Sequence, residues 1–370
     1  MVTPFEIFLA GPPGLEVPLA EEAQAAGFAA RPVPGGAIFQ GGWPEIWRAN
    51  LALRTPSRVL ARIGSFRALH LAQLDKRARK FPWAETLRPD IPVRVEATCH
   101  ASRIWHEGAA RARVGAALAE TLGVPLAEDA PVTLRLRIER DLCTFSLDTS
   151  GELLHRRGAK QAVNAAPLRE TLAALLLWQC GYRGTEPVLD PMCGSGTFVL
   201  EAAEIAAGLA PGRARVFAFE KLANFDPAAW AALRAAAATP RETPLRFHGR
   251  DRDAGAIAMS RANAERAGVG ALTEFLEAPV SALSPPPGPP GLVMVNPPYG
   301  TRLGDPRRLA PLHAALGTAL RTRFAGWRVG LITPEPALAA ATGLPFTAGP
   351  PIPHGGLKIR LYRTGPLPPA

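Results

Sequence analysis

The residues with the most chemical content are Asn296-Pro297-Pro298-Tyr299, which come directly after the short apolar run LVMV. Two consecutive prolines fix φ and lack N–H groups, so the strand cannot continue and the chain turns outward with its carbonyls unpaired. An amide, free carbonyls and an aromatic ring are thereby presented at the end of a buried strand. Upstream, Asp190-Pro191-Met192-Cys193-Gly194-Ser195-Gly196-Thr197-Phe198 stands between a predicted strand and a predicted helix. Gly194 and Gly196 let backbone approach a ligand, and the helix start offers N–H groups to an anion. The turn is not a Walker loop, because no Gly-Lys-Ser/Thr comes after it, and Val199 fills the third glycine position of the dinucleotide fingerprint. What remains suits a smaller cofactor that carries a carboxylate; a Gly-rich structural turn is the alternative. In Gly249-Arg250-Asp251-Arg252-Asp253, Asp251 ends another predicted strand, where a carboxylate can accept both hydroxyls of a ribose. A surface acid between two arginines is the other reading.

The elements that must carry these residues alternate between strand and helix. PVLDPMCGSGTFVLEAAEIAAG, RFHGRDRDAGAIAMSRANAERAG and GLVMVNPPYG each end a strand in a turn, and WRVGLITP and LKIRLYR add two more strands. Such alternation over the C-terminal part predicts a parallel, helix-covered α/β sheet of the Rossmann-like kind. Before it, FEIFLA, AIFQGG, SRVLARIGSF, VRVEATC, VTLRLRIERD and LCTFSLD read as strands, the last two meeting at Arg140-Asp141 in a hairpin. LEVPLAEEAQAAGF and PEIWRANLALR read as helices between them, so this N-terminal part is α+β and a unit separate from the C-terminal sheet. The Pro-rich SPPPGPPG is a solvent loop.

The chain has 370 residues, enough for two or three domains, and its apolar runs fall short of the ~20 residues a membrane span needs. The first residues carry no basic n-region and place Glu6 inside the apolar stretch, so no signal peptide is read there and a cytoplasmic protein without membrane association is expected. The four cysteines, 99, 143, 180 and 193, have neither metal-ligand nor disulfide spacing, so free thiols and no metal are expected. The net charge of +10 is concentrated: residues 48 to 113 hold 14 Lys/Arg and 5 Asp/Glu. A basic surface of that kind is the footprint of a polyanion binder, against the plainer reading of solvated charge in an arginine-favouring chain.

Taken together, DPMCGSGT, an acidic second strand end and NPPY resemble class I S-adenosylmethionine-dependent methyltransferases acting on exocyclic amines. The stretch LDTSGELLHRRGAKQAVNAAPLRETLAALLL is similar to the junction of THUMP-domain RNA methyltransferases, specifically the bacterial enzymes that make N2-methylguanine in large-subunit ribosomal RNA. FLAGPPGLEVPLAEE, LRTPSRVLARI and RIWHEGAARARV resemble that family's ferredoxin-like segment and THUMP domain, so the likeness covers nearly the whole chain. NPPY alone is shared with DNA adenine methyltransferases.

The resemblance implies a ferredoxin-like segment over 1–60, a THUMP RNA-binding domain over 61–155 and a Rossmann-like methyltransferase domain over 156–370. S-adenosylmethionine would be held by Pro167, Thr171, Asp190, Pro191, Cys193, Gly194, Gly196, Thr197, Asp251, Asp253, Glu277 and Asn296. Catalysis would fall to Asn296, Pro297, Pro298 and Tyr299. RNA would meet Arg103, His106, Arg111, Arg113 and His354. Two positions depart from the family: Pro279 stands where an acid is usual, with Glu277 nearby, and His354 replaces an Asn in the turn His354-Gly355-Gly356-Leu357. A second methyltransferase domain is not read in the chain, so one methylation by a monomer is expected. Transfer RNA is the second substrate choice. A DNA or protein amine methyltransferase, or an RNA-binding assembly factor without turnover, are the rival functions.

Overall fold

The computed structural model describes residues 4–158, 168–298 and 309–369. The chain divides into two compact units, one of residues 1–11, 23–154 and 212–237, the other of 12–22, 155–211 and 238–370.

The first unit is built on seven strands. In chain order come β1 (Phe5–Ala10), α1 (Glu16–Ala25), most of which belongs to the second unit, β2 (Arg31–Val33), β3 (Gly36–Gly41), α2 (Trp43–Ala52), β4 (Arg58–Arg67), α3 (Leu71–Ala78), β5 (Val93–His100), α4 (Glu107–Leu122), β6 (Val132–Glu139) and β7 (Leu142–Asp148). The strand order is β2-β3-β1-β4-β7-β6-β5, with β5 parallel to β6 and the other pairs antiparallel. Periodicity explains β6: Val132, Leu134, Leu136 and Ile138 are buried while the residues between them are not, one face inward and one outward. Arg140 and Asp141 both take positive φ, 48° and 64°, as a two-residue hairpin turn matched to strand twist requires. The sequence-level division at 60/61 falls inside β4, which pairs with β1 on one side and β7 on the other. A buried polar knot closes the end of β7: Asn50 donates to Thr149 Oγ1 at 2.9 Å, and Ser150 donates to Asn50 Oδ1 at 2.7 Å.

The chain continues through α5 (Glu170–Gln179), β8 (Val188–Asp190), α6 (Thr197–Ala206), α7 (Pro227–Ala236), β9 (Phe247–Asp251), α8 (Ala254–Ala267), β10 (Thr273–Glu277), β11 (Leu292–Val295), α9 (Ala310–Arg323), β12 (Arg328–Thr333), α10 (Pro336–Ala341), β13 (Thr347–Ala348), β14 (Ile352–His354) and β15 (Leu357–Arg363). α7 and its flanks belong to the first unit. There Gly212 N–H donates to the Leu51 carbonyl at 3.0 Å, and Trp47 meets the rings of Phe219 and Phe225 at centroid distances of 6.2 and 5.9 Å. Sequence periodicity does not reveal this, since the aromatic partner lies far upstream.

The second unit's sheet has the order β10-β9-β8-β11-β12-β15-β13, with β14 paired to β15. The first five strands are parallel, as expected, whereas β15 runs antiparallel to β12, so the sheet is mixed at that edge. β8 and β11 are buried at every residue, the pattern of strands covered on both faces. Around them Leu316, Leu320, Phe324 and Trp327 pack with Leu189, Val293, Val295 and Leu331 into one apolar core. All four cysteines are free thiols. Among the described residues no helix is long and apolar enough to cross a membrane.

Close packing of β8, β9 and β10 leaves no room for a side chain at Gly249. A Cβ there would stand 2.4 Å from the Phe275 ring and 3.0 Å from Cys193 Sγ, both buried. Gly249→Ala is expected to destabilise the protein by about 1–3 kcal/mol. Urea unfolding should show a lowered midpoint at unchanged slope; an unchanged midpoint would contradict the packing.

Candidate active site

Strand register brings the chemistry-bearing residues to one end of the parallel sheet. Asp190 pairs with Gly249, so Asp251 lies two residues beyond it on β9. On the other side Val293 pairs with Leu189, so β11 runs past the level of Asp190 and delivers Asn296 to the same end. β8 is flanked by β9 and β11, and the strand order reverses there, which is where open α/β sheets form their ligand crevice.

The turn between β8 and α6 takes its shape from Gly194 and Gly196, at φ 53° and 84°. Both lie in the left-handed region that glycine enters without penalty. Neighbouring elements hold the turn in place. Asp251 Oδ2 accepts from Gly194 N–H at 2.9 Å, and Cys193 N–H donates to the Arg250 carbonyl at 2.9 Å. From α8, Ser260 Oγ donates to the Gly194 carbonyl at 2.8 Å and Asn263 Nδ2 to the Ser195 carbonyl at 3.1 Å. Ser260 and Asn263 were not among the sequence candidates. Their signal is two small polar residues three apart on a helix, hence on one face, and here both are fully buried.

No side chain caps α6, which begins at Thr197, so its first turn faces the glycine turn without a side-chain acceptor of its own. Asp251 Oδ1 accepts from Asp253 N–H at 3.0 Å, and Asp253 caps α8 by accepting from Gly255 N–H at 2.8 Å. Each Asp251 oxygen is thus oriented by one N–H and keeps lone pairs for further donors.

Asp190 is buried and accepts from Met192 N–H at 3.0 Å. Burial pushes its carboxyl up to about 8, and the charge of Asp251 adds to the rise. Cys193 is also buried, its thiol raised well above the ordinary value by burial and by the nearby carboxylates, with Sγ 3.8 Å from Ser260 Oγ. It packs the turn as a neutral group. Pro191 is buried beside it.

Beside the NPPY prolines, Asn296 Oδ1 is buried and makes no hydrogen bond among the described residues. A polar atom left this way costs about 1–3 kcal/mol unless a donor arrives. Pro297 is buried and Pro298 half-buried; Tyr299 lies outside the described residues, as does Pro167. Thr171 is buried in the first turn of α5, next to Glu170, which lines a small cleft with Thr197, Leu200 and Glu201. Glu277 ends β10, exposed and in register with Asp251. His354 ends β14 half-buried, and burial together with the Arg169 charge holds its imidazole below the ordinary value. Arg103, His106, Arg111 and Arg113 are exposed in the first unit, where Arg111 pairs with Glu128 at 3.3 Å.

The donor and acceptor set fits a ligand with an anionic end and vicinal hydroxyls, with Asn296 waiting for a donor beside it. A family model described as the RMKL-like methyltransferase domain matches residues 157–345, and one described as the RlmL ferredoxin-like domain matches 6–60. The ribosomal RNA large subunit methyltransferase K/L of Syntrophotalea carbinolica is 36% identical over 98% of this chain and 53% of that protein. The chain spans about half the length of the curated relatives of that name that it matches. Among solved structures, one described as a methylase, from Clostridium difficile, superposes with a TM-score of 0.88 at 28% identity, over 99% of this chain and 100% of that one. The structure of SMU.472, solved with SAH, gives 0.88 at 25% identity over 100% of this chain and 99% of that one.

The raised carboxyl of Asp190 makes stability depend on pH. Its value in the fold lies above the ordinary 3.8. Between about pH 4 and 8 the folded chain therefore keeps a proton that the unfolded chain releases, and stability falls as pH rises through that window. Asp190→Asn removes this contribution. Urea unfolding of the variant from pH 5 to 8 is expected to decline less steeply than that of the native chain, by up to ~1.4 kcal/mol per pH unit; parallel curves would count against a neutral Asp190.

Proposed function

The chain belongs to the RMKL-like methyltransferase family, and from that premise we propose that it methylates the exocyclic N2 amine of a guanine in RNA, with S-adenosylmethionine as methyl donor. Large-subunit ribosomal RNA is the substrate this reading favours, because relatives covering nearly the whole chain bear that name. The SAH bound to SMU.472 supports the cofactor. S-adenosylmethionine, when bound, supplies an electrophilic methyl group on a sulfonium.

The chain's own residues would do the rest. The uncapped start of α6 with the Gly194–Thr197 turn takes the carboxylate, and Asp251, oriented by two N–H groups, takes the ribose hydroxyls. A guanine amine is a poor nucleophile because its lone pair is delocalised into the ring. Accepting both its hydrogens, at Asn296 Oδ1 and the Pro297 carbonyl, favours a pyramidal nitrogen with its lone pair free to attack. The gain comes from orientation and from dipoles already in place rather than from a strong base. The observation that carries this is the buried oxygen of Asn296 at the sheet's carboxyl end, unpartnered among the described residues. Tyr299 is assigned, from its place in the sequence, the stacking face for the base. The nucleotide must be unpaired or flipped to reach it.

On this reading residues 61–155 form a THUMP RNA-binding domain, after a ferredoxin-like segment over 1–60 and before the methyltransferase domain over 156–370. The enzyme works as a cytoplasmic monomer. Transfer RNA is the second substrate. Labelled-methyl transfer to RNA, DNA and protein in parallel, with nucleoside mass spectrometry of ribosomal and transfer RNA, tests the assignment. N2-methylguanine in ribosomal RNA is expected, and label in DNA or protein alone would overturn it.

Two variants should separate the roles. Asn296→Ala is expected to lower transfer at least 100-fold while leaving cofactor affinity within about twofold; wild-type turnover would remove Asn296 from the reaction. Asp251→Ala is expected to weaken cofactor binding first, and an unchanged dissociation constant would remove it from the ribose.

A further inference from the structure

Among the described residues of the first unit, one rim gathers features that the fold alone does not require. It is made by the loop from His100 to His106, after β5, and the turn at Arg140–Asp141 between β6 and β7. Trp105 projects from it with 77% of its surface exposed. Eight large hydrophobic side chains are exposed among the described residues, and three of them, Leu69, Trp105 and Leu142, sit in the segments that form or adjoin this rim. Large apolar side chains exposed together, an indole among them, mark a contact surface more than one exposed singly does.

The rim is also rigid. Arg103 N–H donates to Asp141 Oδ1 at 2.8 Å, Asp141 N–H to Ser102 Oγ at 3.0 Å, Arg140 N–H to the His100 carbonyl at 3.2 Å, and Ala68 N–H to the Asp141 carbonyl at 3.0 Å. Those bonds hold the three non-glycine residues with positive φ among the described residues: Ala101, Arg140 and Asp141. Strain concentrated in two bonded loops fixes the direction in which their side chains leave the surface. His106 is occupied as a cap, its Nδ1 accepting from Ala109 N–H at 3.0 Å, with its ring 5.7 Å from that of Trp105.

The charges at the rim are unequal in availability. Asp141 is occupied by the Arg103 backbone, Glu107 accepts from Cys99 N–H at 3.2 Å, and Glu139 pairs with Arg137 at 2.9 Å and faces His100 at 3.7 Å. Arg103 and Arg140 are exposed and form no ion pair among the described residues. By contrast Arg111 already has Glu128, and Arg113 lies within electrostatic reach of Asp75. Of the basic residues read from the sequence, Arg103 is therefore the one with a free guanidinium at this rim; Arg140, exposed on the bonded turn, lies within electrostatic reach of Glu139.

We propose that this rim grips an unpaired stretch of RNA, the indole of Trp105 stacking on a base while Arg103 and Arg140 take phosphates beside it. An exposed π-face with exposed cations on the same pair of bonded loops suits single-stranded nucleic acid held without reading its sequence. The proposal rests on the RNA reading of the function and goes beyond it, since it says which surface of the chain holds the substrate and which feature of RNA is held.

The test uses the full chain with two fluorescently labelled RNAs of equal phosphate number, a hairpin with an open loop and a blunt duplex. Trp105→Ala is expected to weaken hairpin binding about 5- to 150-fold and leave duplex binding within about twofold, while Trp105→Phe restores most of the difference. Arg103→Gln and Arg140→Gln should weaken both RNAs alike and reduce the salt dependence by about one counterion each. Equal hairpin binding by the native chain and Trp105→Ala overturns the rim. The same preparations are assayed for labelled-methyl transfer to ribosomal RNA. Transfer by the native chain alongside unchanged Trp105→Ala binding defeats the rim and spares the function, whereas absence of both RNA binding and transfer by the native chain defeats both.

Discussion

A turn made of Gly-Ser-Gly has almost no side chain with which to hold itself, and the crevice depends on hydrogen bonds supplied from outside it. Asp251, the Arg250 carbonyl, Ser260 and Asn263 hold Cys193, Gly194 and Ser195 from two neighbouring elements, β9 and α8. Each of those groups is itself placed by parallel pairing: β9 lies beside β8 in a register that sets Asp251 above Asp190. The freedom that lets glycine backbone approach a ligand is thus compensated by a second layer that removes the freedom again. Asp251 ties down Gly194 and, with one N–H at each oxygen, still keeps lone pairs for a further donor.

The two sides of the crevice differ in kind. On the β9 side both Asp251 oxygens accept N–H donors from within the protein. On the β11 side Asn296 Oδ1 has no partner among the described residues, directly after a strand with no exposed residue. A protein tolerates such an atom where a ligand completes it, and the prolines after it keep the backbone from folding back to do so. Asp190, between them, is buried enough to hold its proton near neutrality, so the floor of the crevice adds little negative charge.

The strand ends were legible from the sequence because they combine two local signals: apolar runs with β-branched residues, then Gly, Pro or Asp. Six of the first sheet's seven strands were legible, through alternation in β6 and the turn at Arg140-Asp141, but the three-residue β2 and the place of β4 were not. Pairing of β4 with both β1 and β7 is a long-range fact that no local pattern carries. The same holds for residues 212–237, whose aromatic rings answer to Trp47. Ser260 and Asn263 escaped for another reason. Small polar residues on a helix usually face solvent, and only the neighbouring turn shows why these two are buried.

The interleaving of the two units along the chain bears on how the protein is made. A chain leaving the ribosome normally finishes its first domain before the next begins. Here the first unit claims residues 212–237, and by the time these emerge α5, β8 and α6 of the second unit have already been synthesised. The strands of the N-terminal sheet are therefore all made before the segment that covers Trp47, while the second sheet still lacks β9 and β11. Completion of the two units is coupled in time, and a pause in translation between residues 154 and 237 would fall where both are unfinished.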